Sequence, residues 1–261
     1  MKLTILNENA CSHIIDGLTA EWGLSVYIEH QGSKVLFDVA YSGLYAENAK
    51  KLGLDLELVD YVVLSHNHDD HTHGLLFNQF KNKHKLLCHP DVLTKMPVEE
   101  VEKMRHDFEI ITSVEPYYLS PDFIYLGQVP RVTSFETGTH VPYQKLLTNP
   151  EEGQEMLDDS ALVIKGKEGA IVITGCSHSG IGNICEYAKL LTGQKLLAVI
   201  GGWHLRDRTP AEVVEATIDY LAKENIPYLY PMHCVDFEPM MKIAKRLAIK
   251  KISVGESLQI D

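Results

Sequence analysis

The chain has 261 residues, 45% hydrophobic and 23% charged, the composition of an ordinary globular protein with length enough for a large core. Its net charge of −12, from Lys+Arg 24 against Asp+Glu 36, argues against broad binding to nucleic-acid phosphates or to an anionic membrane, since both need basic stripes. A local positive site such as a metal ion stays open. The five cysteines (Cys11, Cys88, Cys176, Cys185 and Cys234) are scattered and form no Cys-x-x-Cys pair. This argues against a disulfide framework or a zinc ribbon and fits a reducing compartment. The opening MKLTILNENA turns polar too soon for a signal peptide. No apolar run nears the roughly 20 residues of a membrane span. A cytoplasmic protein is therefore expected.

In chain order, strands are predicted over 2–7, 23–30 and 33–39, the last two joined by HQGS, a hairpin signal built on Gly32. A helix over 43–52 ends at Gly53. The strand YVVLS (61–65) follows, then a short helix through GLLFNQF (74–80). KLLCH (85–89) reads as a strand closed by Pro90, and 97–106 as a helix with Pro97 at its start and an acidic first turn. The stretch 107–157, with short strands, several prolines and the polar loop TNPEEGQEM, gives no clear element order. Beyond it, strands are predicted at 161–165, 170–174, 196–200, 228–232 and 251–254, and helices at 181–192, 210–223 and 237–248. The helix over 210–223 places Val214, Thr217, Ile218 and Leu221 on one face, the stripe of a helix packed on a sheet. Hairpins in the first half and strand–helix alternation in the second predict a layered α/β sandwich, read as one domain over 1–261.

The stretch SHNHDDHTHG (65–74) sets four histidines and two aspartates at the end of an apolar strand. His66 and His68 are two apart, so on extended backbone they point the same way. Asp70 and His71 follow as the chain turns into a helix. Imidazole is the commonest metal ligand, and carboxylate oxygen its harder partner. A cluster this dense suits two metals sharing a site. The bland alternative is a surface loop of no function; Gly74-Leu75-Leu76, resuming the core, speaks against it. Three later strand ends carry further candidates: IVITGCSH delivers Cys176 and His178, LLAVIGGWHL delivers His204, and PYLYPMHC delivers His233. The C-termini of alternating strands line one rim, where sites form. SHSGIGNI, with Gly180 and Gly182, opens a helix whose free N–H groups suit a phosphate or carboxylate, or is simply a tight turn. Arg206 and Arg208 either pair with an anionic substrate or balance an acidic surface.

The motif His66-x-His68-x-Asp70-His71 resembles the signature of the metallo-β-lactamase superfamily. The hairpin WGLSVYIEHQGSKVLFDVA resembles its N-terminal sheet, with Asp38 at the strand end. ITGCSHSGIGNI, IGGWHL and PMHC are similar to the branch that includes the archaeal dihydropterin-type synthase of methanopterin biosynthesis. The resemblance spans nearly the whole chain. It implies a four-layer αβ/βα sandwich, two mixed sheets flanked by helices, with the site at one edge between the sheets. It also implies one or two divalent metal ions, zinc or else manganese or iron. His66 and His68 would hold the first, and Asp70, His71 and His233 the second. The chain departs from the pattern at TGC, where Cys176 stands in place of the usual bridging aspartate, as a thiolate ligand or as a small buried residue. His178 is the candidate for the remaining imidazole on the first metal, with His140 of TGTHVPY as its rival.

A divalent metal there would acidify a bound water towards ~7, giving a hydroxide that attacks a carbonyl or phosphoryl centre. Asp70 would ligate and orient that water. Asp69 would orient an imidazole or face solvent. His204 would hydrogen-bond substrate or protonate a leaving group. His73, where relatives often carry glycine, would narrow the pocket or lie exposed. The expected function is hydrolysis of a small phosphorylated or carboxylated molecule, with no nucleic-acid or membrane partner. Two alternatives stand beside it. One is a synthase joining a pterin pyrophosphate to an aminobenzene ribofuranosyl phosphate; the other is a non-catalytic, metal-bearing ligand-binding or sensor protein.

Overall fold

The computed structural model describes residues 1–13, 15–136 and 156–260. Its strands are β1 (Lys2–Asn7), β2 (Ser25–His30), β3 (Ser33–Phe37), β4 (Tyr61–Val63), β5 (His84–Cys88), β6 (Phe108–Thr112), β7 (Tyr117–Tyr118), β8 (Phe123–Tyr125), β9 (Ala161–Lys165), β10 (Ala170–Thr174), β11 (Leu196–Gly202), β12 (Tyr228–Met232) and β13 (Ser257–Gln259). The helices are α1 (Leu44–Lys51), α2 (Asp69–Thr72), α3 (Pro90–Thr94), α4 (Val98–Asp107), α5 (Ile181–Thr192), α6 (Ala211–Glu224) and α7 (Phe237–Arg246). One sheet runs β13-β1-β2-β3-β4-β5-β6, the other β12-β11-β10-β9-β8-β7.

Strand alternation builds the layers. Along β10, Ile171 and Ile173 enter the core between the sheets, while Ala170 and Val172 face α5 and α6. Along β3, Val35 and Phe37 enter the central core and Leu36 the outer one under α1. A side-chain period of two makes each strand serve two cores. Val214, Ile218 and Leu221 of α6 and Ile184 and Ala188 of α5 close the second sheet. Tyr45, Ala49, Val92 and Met104 close the first. The result is helix, sheet, sheet, helix.

Two expectations are corrected. Residues 251–254 are not a strand: Val254 makes an isolated bridge to Cys11, and the closing strand is β13, antiparallel to β1. Gly255, at φ +91, turns the chain between the two. The predicted helix over 74–80 is a 3-10 turn, His73–Phe77, behind the single turn of α2. Gly74 sits there against the Val39 carbonyl, where a Cβ has no room. Pro90 does stand beyond the end of β5 at Cys88, and it is also the first residue of α3, the position where its missing N–H costs nothing.

What positions the site is the parallel pairing. β3, β4, β5 and β6 run parallel, as do β10, β11 and β12. Both sets end at one edge of the sandwich. The Ser160 N–H donates to the Ser65 carbonyl at 2.9 Å, tying the sheets together there.

Candidate metal centre

The centre is built outward from Asp38, just past β3. It is fully buried and held at φ +54. Oδ1 accepts the Ser65 N–H at 2.7 Å, and Oδ2 accepts the Ser65 hydroxyl at 2.7 Å and His71 Nδ1 at 2.7 Å. Since the Ser65 hydroxyl is donated to Asp38, its oxygen accepts from His66 Nδ1 at 2.8 Å. This network assigns the Nδ1–H tautomer to His66 and His71, so both present an Nε2 lone pair to the rim. Gly175, after β10, is required here: a Cβ would strike Ser65.

Three overlapping donor groups result, one of them His66, His71 and Cys176, which joins the other two. His66, His68 and His178 bring their donor atoms within 4.8 Å of one another, with His66 Nε2 and His68 Nδ1 3.1 Å apart. His178 Nε2 is buried without a hydrogen-bond partner among the described residues. Asp70, His71 and His233 form the second cluster. His71 Nε2 lies 3.2 Å from His233 Nε2, and Asp70 Oδ2 lies 3.1 Å from His233 Nε2. His233 Nδ1 faces Asn9 Oδ1 at 3.1 Å, and the Asn9 amide donates to the His233 carbonyl at 2.8 Å, which fixes which Asn9 atom faces the ring. His233 therefore also turns an Nε2 lone pair inward. Two ring nitrogens and a carboxylate oxygen that converge this closely repel one another unless a metal ion or a proton lies among them. Together with the unpartnered His178 nitrogen, this shows that the residues fit a metal. Cys176 Sγ, 3.2 Å from His71 Nε2, stands between the clusters.

The electrostatics agree. Burial, reinforced by neighbouring imidazoles, holds His66 and His178 well below the ordinary histidine range. Burial opposes charge on His71 as well, but Asp38 and then Asp70 outweigh it and raise it to about 9. A proton on His71 is the metal-free substitute for the cation. Burial opposes ionisation of Asp70, yet His233, His71 and His68 hold its carboxyl well below the carboxylate range.

The other predicted residues divide. The His204 ring lies 4.2 Å from that of His178, and its backbone N–H donates to Cys234 Sγ at 3.2 Å. Burial, then Arg206 and Arg208, lower His204 to about 4, which favours hydrogen bonding over proton donation at neutral pH. Arg206 Nε reaches Asp236 at 3.0 Å, and its guanidinium lies 5.4 Å over Trp22, whose ring is 4.8 Å from that of His233. Arg206 thus borders the second cluster with its charge shared. Asp69 is exposed, and the orienting carboxylate is Asp38 instead. His73 bonds the Tyr41 carbonyl at 2.9 Å and stacks on Tyr41 at 5.0 Å, joining neither cluster. His140 lies outside the described residues.

The anion site read at Gly180 and Gly182 is corrected. The buried Glu136 carboxylate already takes the start of α5, accepting Gly182 N–H at 3.1 Å and Asn183 N–H at 3.0 Å. A substrate anion would meet this negative group where the sequence offered bare N–H groups. Glu136→Ala is expected to cost about 2 kcal/mol, the penalty of orphaning buried donors, with metal content unchanged. Denaturant unfolding and elemental analysis check both.

Sequence reasoning also missed Glu8, whose carboxylate accepts the His233 N–H at 3.0 Å, and Asn9. No spacing signal links them to a residue more than 220 positions away.

A model of the metallo-beta-lactamase superfamily matches residues 21–233, from the β2 hairpin to the last ligand-type histidine. The chain belongs to that superfamily. Its two mixed sheets flanked by helices are the superfamily's fold. The protein MJ0448 of Methanocaldococcus jannaschii is 32% identical over 240 residues, covering 87% of this chain and 88% of that protein. The 7,8-dihydropterin-6-methyl-4-(β-D-ribofuranosyl)-aminobenzene-5'-phosphate synthase of the same organism is 30% identical over 252 residues, covering 84% of this chain and 82% of the synthase. Among solved structures, Tm1679, a metal-dependent hydrolase of the β-lactamase superfamily, superposes with a TM-score of 0.82 at 25% identity, over 100% of this chain and 99% of its own. Zinc-bound PqqB from Methylobacterium extorquens, at 16% identity and a TM-score of 0.61 over 100% of both chains, shares the fold. No helix among the described residues is long and apolar enough to cross a membrane.

Proposed function

We propose that this metallo-β-lactamase superfamily member is a metal-dependent hydrolase of a small anionic molecule carrying phosphate or carboxylate. The observation that carries the reading is the convergence of His71 Nε2 and His233 Nε2, 3.2 Å apart, beside the Asp70 carboxylate. His66, His68 and His178 would hold one ion, and Asp70, His71 and His233 the other. The nitrogen-rich donor set, with a thiol at hand, favours zinc over harder ions. Bound there, a divalent metal supplies Lewis acidity and lowers the pKa of a coordinated water towards ~7.

The chain's own residues do the rest. Asp38 fixes the His71 tautomer and so the direction of its lone pair. Asp70, kept ionised by its imidazole neighbours, orients a proton donor at the second cluster. Neutral His204 hydrogen-bonds the substrate. Arg206 and Arg208, close enough to depress His204, bias that side of the rim towards an anion. The synthase relative, at 30% identity, favours a second reading in which the anionic group is a pyrophosphate that leaves.

Zinc- or manganese-reconstituted protein should be screened against phosphomonoester, phosphodiester, lactone and thioester substrates. Turnover that a chelator abolishes and metal restores is expected. Pyrophosphate release that requires a second co-substrate would favour the synthase. Complete inactivity beside tight ligand binding would make the protein a binding module instead.

A further inference from the structure

Two consecutive acids just before β9 are the most buried charges not used above. Asp158 and Asp159 are both 0% exposed. Asp158 Oδ2 accepts the N–H of Asn67 at 2.7 Å, and its Oδ1 accepts from Lys95 Nζ at 2.5 Å. Asn67 is the residue between His66 and His68. Asp159 Oδ2 accepts the N–H of Ser179 at 2.9 Å and the Ser179 hydroxyl at 2.5 Å. Ser179 is the residue after His178. One dipeptide therefore grips both loops of the three-imidazole cluster, from a turn in which the Asp159 N–H donates to the Met156 carbonyl at 3.2 Å. The Ser160-to-Ser65 hydrogen bond pins the dipeptide to the sheet edge.

The charges are not equally matched. Asp158 has Lys95. Asp159 forms no ion pair among the described residues, and its Oδ1 is buried without a hydrogen-bond partner, as is His178 Nε2 next to Ser179. A capping role alone would be met by a neutral acceptor such as asparagine. A buried, unpaired carboxylate is costly unless a cation lies near it or it takes up a proton.

We infer that Asp158 and Asp159 are positioning residues of the first cluster, Asp158 setting the His66–His68 loop and Asp159 the His178 loop, and that the Asp159 charge is balanced by the divalent cation those imidazoles hold. The inference rests on the metal-holding role proposed for His66, His68 and His178.

The test compares wild type with Asp159→Asn and Asp158→Asn, each also in a His233→Ala background that disables the second cluster. Zinc affinity is read by competition with a chromogenic chelator, and thermal unfolding is followed with and without zinc. Asp159→Asn should weaken zinc binding by about 10–100-fold, as loss of an outer partner of a metal ligand does. The zinc-free variant should melt no lower than zinc-free wild type, because an unpaired buried charge is gone. Zinc affinity within about twofold of wild type, or a lower zinc-free melting point with zinc affinity intact, overturns the inference and leaves the metal site standing. Wild type that takes up no zinc overturns both. Asp159→Asn keeps an acceptor for Ser179, so it carries the test if Asp158→Asn fails to fold.

Discussion

His178→Ala is expected to lose roughly one metal equivalent, since a divalent ion in a three-imidazole site depends on all three ligands. Of the three, His66 is fully buried and His68 exposed. With His178 gone, an ion would be left with one rigid and one solvent-facing imidazole. The affinity loss should exceed the ~10–100-fold that removal of an outer partner costs. His68→Ala should behave likewise, and His140→Ala should leave metal content at the wild-type level. Elemental analysis of dialysed protein decides between them. Full metal content in His178→Ala with a deficit in His140→Ala would transfer the role to His140.

Asp38→Asn should weaken both the fold and the second cluster. Asp38 accepts three hydrogen bonds, each 2.7 Å long, in a fully buried setting. An asparagine amide has one acceptor oxygen and turns N–H donors against donors. His71 would then move its proton to Nε2, where a ligand lone pair is needed. A loss on the order of 3 kcal/mol is expected, with a metal deficit confined to the second cluster. The pH dependence has a definite sign in chelator-treated protein. Asp38 and Asp70 hold His71 at about 9 against burial, above its unfolded value of 6.5. A raised folded pKa favours the protonated form in the fold. The resulting stabilisation, on the order of 3 kcal/mol at ~1.4 per unit, is full below ~6.5 and fades as pH rises through ~9. The stability gap between wild type and Asp38→Asn should therefore be widest near pH ~6 and narrow near pH ~10. Denaturant unfolding at both values measures it, and a gap that widens with pH would contradict the assignment.

The residues that the sequence made legible are those whose neighbours in space are also neighbours in the chain. His66, His68, Asp70 and His71 could be picked out because two-residue spacing on a strand, followed by one helical turn, is itself a geometry. The later candidates could be placed on one rim because strand–helix alternation implies parallel strands. Asp38 was legible only through resemblance; its bonds to Ser65 and His71 cross 27 and 33 residues. The α5 start misled because a glycine-bearing turn shows its free N–H groups but not the distant carboxylate that fills them. At the closing edge, the predicted strand was 251–254, and the turn at Gly255 decided that 257–259 lies along β1 instead.

By itself, then, the sequence determined the alternation that makes two sheets and the histidine-rich strand end that offers metal ligands, since both depend on local periodicity. Only the tertiary structure decided which way each imidazole faces. The tautomers of His66, His71 and His233 are set by Ser65, Asp38 and Asn9. The loops of His66 and His178 are gripped by Asp158 and Asp159, and a carboxylate closes the helix start that looked open to substrate. These pairings depend on which donors and acceptors meet once both sheets are stacked. Buried polar groups must be satisfied by whatever partner the fold brings within about 3 Å, however far away it lies in the chain.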